Sequence, residues 1–160
     1  MELDRAADDR QPNRIVVTDT LDRRVTLRLL NYWVSLRRSA GGPFFADFKW
    51  FRNPVPWPDC RLVFVGADGG VVVEHSGEAL RQIFDLVDAP SPEEVDIGKH
   101  AGLFGDIRAT LADGRPAIRE GAYARSDGSV LYRSILLPFV DVAGRPAYIL
   151  HAVSYKAVRP

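Results

Sequence analysis

The chain has 160 residues, enough for one domain with a sizeable core, and carries 21 Lys and Arg against 21 Asp and Glu, a formal net charge of zero. That balance removes the basic excess from which nucleic-acid binders draw affinity, and a single cysteine, Cys60, leaves neither an internal disulfide nor the second thiolate of a zinc site. No run approaches the roughly 20 apolar residues that span a bilayer, and the opening MELDRAADDRQPNR has no apolar leader segment, so a cytoplasmic protein without membrane or nucleic-acid partners is expected.

Residues 1–17 are polar and aperiodic and predict a disordered tail. A leading helix follows over 18–40, with Thr18, Asp19 or Thr20 as cap and Leu21, Val25, Leu29, Tyr32 and Leu36 as an apolar stripe. Leu27, Leu30 and Val34 fall on a second arc, and Trp33 widens the first stripe toward it. The surplus fits a helix that packs on its own domain with one face and on another chain with the other, or one buried on two sides within the domain. Leu27, Leu30, Trp33 and Val34 are therefore the candidate dimer or partner interface, with a homodimer expected. Arg23, Arg24, Arg28, Arg37 and Arg38 lie close to Asp19 and Asp22 and read as a solvated helix face.

Gly41, Gly42 and Pro43 end the helix. The connector 41–60 holds Pro54, Pro56 and Pro58 at alternate positions, which excludes a helix. Its Phe44, Phe45, Phe48, Trp50, Phe51 and Trp57 predict a strap lying across the domain. From 61 to 156 the pattern is that of a core: strands over 61–65 and 71–75 joined at Asp68-Gly69, helical signals over 77–86 and 103–112, then strands over 117–125, 129–140 and 147–155. The last three are separated by Ser126-Asp127-Gly128 and Ala143-Gly144-Arg145-Pro146. This order predicts an α+β fold with a five-stranded antiparallel sheet, inserted helices on one face and an N-terminal helix.

Leu29-x-x-Tyr32-Trp33-x-x-Leu36-Arg37 resembles the leading helix of small, often stand-alone bacterial PAS-like proteins. His75-Ser76-Gly77-Glu78-Ala79-Leu80 looks like that group's entry into its first inner helix, and Leu136-Leu137-Pro138-Phe139 with Gly144-Arg145-Pro146-Ala147-Tyr148-Ile149-Leu150 looks like its closing strands. The resemblance covers about residues 20–155; it departs at Phe44-Phe45-Ala46, where the family tends to carry an Arg. It implies a PAS domain: a sensory or regulatory module with a small cavity or a filled core, pairing through the leading helix or the sheet.

Cys60-Arg61-Leu62 resembles the flavin-attaching element of light-sensing PAS relatives but precedes the first strand, whereas that element sits on an inner helix. His100, between Gly98 and Gly102, reads as a loop residue and not a haem ligand, and His75 and His151 have no second imidazole at ligand spacing. No cofactor or metal is expected. No nucleophile elbow is present, Glu93 and Glu94 read as first-turn helix charge, and the Gly66–Gly70 run joins two strands instead of opening a helix.

What remains is an apolar site. Phe64, Phe84, Phe104, Tyr123, Tyr132 and Tyr148 come from elements that would converge, with Ser134, His151 or Arg133 supplying polar contacts. Along 129–140, Tyr132, Ser134 and Leu136 face opposite to Leu131, Arg133, Ile135 and Leu137, and the former set is placed inward because a guanidinium is costly in a core. Phe64, Phe84, Phe104, Tyr123, Tyr132, Ser134 and His151 are the candidate pocket for a small apolar or amphipathic ligand; the same aromatics equally fill a solid core. The expected function is a cytosolic, non-enzymatic PAS-like sensor acting through dimer or partner contacts, with a separate signalling protein as output. A ligand-free protein-interaction adaptor, and a small enzyme using His151 or His100 as acid or base, are the alternatives.

Overall fold

Three turns of the kind expected from their glycines join strands between residues 60 and 158 that belong to one antiparallel sheet. A computed structural model describes residues 15–16, 23–37, 42–49, 55–85 and 107–158. Its main strands are β2 (Cys60–Val65), β3 (Val71–Ser76), β4 (Ala117–Arg125), β5 (Gly128–Val140) and β6 (Pro146–Val158), in the spatial order β3-β2-β6-β5-β4. A two-residue strand, β1 (Ile15–Val16), pairs with Val158 and Ala157 of β6, so the end of the segment expected as a tail is part of the sheet. All these pairings are antiparallel, as expected.

The β2–β3 turn closes through Gly66 N–H to the Gly70 carbonyl at 2.7 Å, while the Asp68 carboxylate accepts the Gly70 N–H at 2.9 Å. The β5–β6 turn is organised in the same way by Asp141. Its carboxylate accepts the Ala143 and Arg145 N–H groups at 3.0 and 2.9 Å and pairs with the Arg145 guanidinium at 3.2 Å. These backbone donors, the one from Arg145 foremost, together with the nearby guanidinium, hold the Asp141 carboxyl below its ordinary range.

Helices cover the sheet on both sides. On what we call the back face, Ile135, Leu137 and Phe139 of β5 pack with Leu150, Ala152 and Cys60 beneath Leu29 and Trp33 of helix α1 (Arg23–Leu36) and beneath Phe48 and Val55 of the connector. On the front face, Val63, Val65, Leu136 and Ile149 meet Ile107 and Leu111 of α3 (Ile107–Asp113). Val130, Val153 and Tyr155 meet Leu80 of α2 (Glu78–Ile83) and Phe84 just past its end. This double cover explains the unbroken buried run from Ser134 to Val140, where a half-exposed strand would alternate.

In α1 the buried arc is Thr26, Leu29 and Trp33, at helical spacing. Of the predicted stripe, Leu29 is buried and Tyr32 and Leu36 are half-buried; the side chains of Leu21 and Val25 lie outside the described residues. Trp33, expected at an outer face, is instead 1 % exposed and belongs to the core of its own chain. Its Nε1–H donates to the Pro138 carbonyl at 2.7 Å, the usual requirement for burying an indole. Leu27 and Val34 point outward at 55 and 57 % exposure, and Leu30 is half-buried against the core.

Pro138 is tolerated in a long strand because β4 stops short of it: the last β4–β5 register pair is Ala117 with Leu136. Beyond that point the edge of β5 is taken by the connector, through a Phe44–Val140 bridge and the Val140 N–H to the Pro43 carbonyl at 2.9 Å. Gly42 enters this corner at φ 92°, and a Cβ there would sit 2.9 Å from the Pro138 oxygen, so the corner requires glycine. The connector then lays its aromatics on the sheet as the strap reading expects. Phe45 lies 4.2 Å from Tyr148 and Phe48 5.4 Å from Phe139 between ring centroids. Trp50, Phe51 and Pro54 lie outside the described residues.

Candidate functional site

The front face carries a set of polar side chains that the back face lacks. Register pairing places Ser76, Arg61, His151 and Leu136 in one row across β3, β2, β6 and β5, and Ser134 stands two residues from Leu136 on the same side of β5. Arg61 is 1 % exposed, and His151 and Ser134 are wholly buried. Thr110 of α3 is buried as well. Burying a guanidinium, which stays charged, costs several kcal/mol before any compensation, so this row is expensive as architecture.

Beside the row stands an aromatic group centred on Phe84. Tyr123, Tyr132 and Tyr155 approach its ring edge-on, at centroid distances of 5.5, 5.9 and 6.0 Å. The Tyr123 hydroxyl donates to Asp85 at 3.3 Å and the Tyr155 hydroxyl to the buried Asp59 at 3.0 Å. Tyr132 lies across its register partner Gly121, where a Cβ would come within 2.7 Å of the phenol oxygen; burial shifts its pKa upward. Arg125 of β4 anchors the end of α2 beside this group, donating to the Gln82 and Ile83 carbonyls at 3.0 and 2.6 Å.

Of the pocket residues expected from the sequence, Phe84, Tyr123 and Tyr132 come together, and Ser134 and His151 share their face of the sheet. Phe64 does not: it projects from the back face, 5.0 Å from Tyr148 and 5.9 Å from the Arg145 guanidinium. The reason is strand parity, since Arg61, Val63 and Val65 take the front. Phe104 and His100 lie outside the described residues. Arg61 is not among the residues expected from the sequence to line the pocket. Its alternation with the apolar Val63 and Val65 was the available signal.

Cys60 opens β2 and is buried on the back face, where burial, with the Asp59 charge adding to it, pushes the thiol far above its ordinary range. Such a thiol is a packing residue and not a nucleophile. His75, at the end of β3, lies 5.0 Å from the Trp57 ring, with Nε2 at 2.8 Å from the Trp57 carbonyl, and holds the turn that leads into β2. Among the described residues no three or more His, Cys, Asp or Glu converge as a metal set, and no helix is long and apolar enough to cross a membrane.

A second feature lies on the back face, where α1 crosses the β4–β5 seam. Thr26, Leu27, Leu30, Ile118, Arg133, Ser134 and Ile135 line a socket of about 130 Å³. Ile118 and Leu131 beside it are about half exposed, and Arg133 forms an ion pair with Glu120 across the strands. No protein-family model and no curated protein matches the chain.

Proposed function

We propose that the protein is a PAS-like sensory or regulatory module that takes a small ligand or a partner segment at its front face and passes the signal on through the outward side of α1. The observation that carries this reading is the burial of Arg61, His151 and Ser134 in the sheet beneath the inserted helices, beside an aromatic group. Buried charged and polar groups beneath inserted helices are where a binding function is sought first. The antiparallel sheet, with α2 and α3 inserted between its two hairpins and a helix ahead of it, agrees with the order that the Tyr32-Trp33 helix and the Leu136–Phe139 strand resemble. The cytoplasmic setting, the absence of a bound cofactor and an output through a separate protein belong to the same reading.

In this reading the role is binding and not catalysis; of the two histidines of the enzyme alternative, His151 is buried within the sheet and His100 lies outside the described residues. Leu27 and Val34 supply the apolar contact for a second copy or a partner. Native mass spectrometry of freshly purified protein tests both halves. The expected result is a mass above that of the chain which Arg61→Met loses, and a dimer which Leu27→Glu reduces to a folded monomer. Leu27 suits that test better than the half-buried Leu30, whose replacement by a charge would also injure the core. A dimer without added mass in wild type would reduce the module to an interaction adaptor.

A further inference from the structure

The socket under α1 has a chemistry of its own, separate from the front face. Its walls are aliphatic, from Leu27, Leu30, Ile118 and Ile135. Three polar residues, Thr26, Arg133 and Ser134, also line it, and the first two bear on what it can hold. Thr26 is 7 % exposed, and its hydroxyl has no hydrogen-bond partner among the described residues. An unpaired buried hydroxyl is a cost that the fold does not recover internally. Threonine in a helix has two accessible χ1 rotamers, so a single rotation exchanges its methyl for its hydroxyl at the socket wall.

Arg133 supplies the second polar group. Glu120 receives its Nε and Nη2 on the exposed side of the strand pair, and Nη1 is not engaged by that carboxylate. Exposed ion pairs of this kind contribute little, so exchanging one acceptor for another at Arg133 is cheap. Arginine is also the side chain best shaped to hold a carboxylate through two parallel N–H groups.

Size sets the remaining limit. A volume of about 130 Å³ is slightly below that of an apolar cavity known to admit benzene, and less than half the lower end of the usual range for drug-sized ligands. Arg133 lines the socket and its partner Glu120 does not, so the charge nearest a bound solute is positive, and a purely apolar solute would leave the Thr26 hydroxyl unpaired. We propose that the socket between α1 and the β4–β5 seam binds a short-chain aliphatic carboxylate, its chain among Leu27, Leu30, Ile118 and Ile135 and its carboxylate held by Arg133 and Thr26. The site stands on the opposite side of the sheet from Arg61 and His151 and is independent of a ligand there, but it shares Leu27 with the proposed contact to a second copy, so the test below separates the two occupants.

Titration of the isotope-labelled full chain with sodium pentanoate, followed by amide chemical shifts, tests it, with 1-pentanol as the uncharged control. Shifts are expected at Thr26 to Leu30, at Ile118 and at Arg133 to Ile135, with a dissociation constant on the order of 1 mM for so few atoms. Arg133→Gln and the change to pentanol should each weaken binding about tenfold, and Thr26→Val, which keeps the side-chain shape, by a smaller factor. The proposal is overturned by the absence of shifts up to about 20 mM, by equal binding of pentanol, by shifts confined to the front face, or by a titration that Arg133→Gln leaves unchanged. It is equally overturned if the same amides shift with protein concentration alone while the mass doubles, since a second copy then fills the socket. Should Arg133→Gln disturb the amide pattern of the unliganded chain, Arg133→Lys and Thr26→Val decide the matter.

Discussion

The two faces of the sheet draw on alternate residues of the same strands, yet among the described residues only the front buries polar side chains of the strands themselves. On the back, Cys60, Leu62, Leu137, Leu150 and Ala152 meet α1 and the connector aromatics, and the main directed bond is the indole of Trp33 to the Pro138 carbonyl. On the front, Val63, Leu136, Ile149 and Val153 share the surface with Arg61, Ser134 and His151. The back therefore resembles a core selected for cohesion, and the front a core that gives up cohesion for polar recognition. If that division is right, equal damage to the two faces has unequal consequences.

The largest effect is expected from Trp33→Ala, which removes a buried indole and orphans a carbonyl. A loss of about 3–5 kcal/mol in urea unfolding, with faster labelling of the otherwise protected Cys60 thiol, would place the stability of the fold on the back face. Phe84→Leu should cost less, about 1–2 kcal/mol, since volume is roughly kept and only the edge-on contacts to three tyrosines are lost. A cost matching that of Trp33→Ala would erase the contrast between the faces. Arg61→Met is expected to leave unfolding within about 1 kcal/mol of wild type while abolishing any bound mass. A penalty of about 3 kcal/mol or more would make the guanidinium a structural group instead.

The smallest effect lies outside both faces, at the β5–β6 turn. Because the Asp141 pKa is lowered on folding, its contribution is present above the ordinary carboxylate range near pH 4 and is lost as pH falls through the depressed native value. Comparing urea midpoints of wild type and Asp141→Asn from neutral to acid pH should show wild type losing its advantage only below about pH 4. A gap between the two proteins that stays constant with pH would remove the turn from the acid response.

Turn chemistry made most of the sheet legible in the sequence. Asp68-Gly69, Ser126-Asp127-Gly128 and Gly144 all stand where strands reverse, with Gly69, Gly128 and Gly144 at positive φ. The five main strands fall within a residue or two of the expected spans except at β6, which runs on to Val158. The facing of side chains was less legible, for a physical reason. Parity identifies which residues share a side, but a sheet covered on both sides does not reveal which side is the polar one. The rule that arginine avoids cores leaves Arg133 partly exposed beside Glu120, but Ile135 and Leu137 of the same face are buried against α1, and the rule fails at Arg61. Trp33 misled in the other direction: on a helix with too many apolar residues for one arc, the sequence does not say which of them finds a carbonyl such as that of Pro138. The socket was not legible at all, since it joins a helix to strands about a hundred residues away.

One property of β6 reaches past the finished structure. This strand lies between β2 and β5 and also holds β1, so the β2–β3 and β4–β5 hairpins share no register pair until it is in place. During synthesis the two hairpins can close as they emerge, but each presents an unpaired edge and half a core until residues 146–158 leave the ribosome. The interval between translating β5 and releasing β6 is therefore the period of greatest exposure to aggregation, and a pause in that stretch of the message would lengthen it.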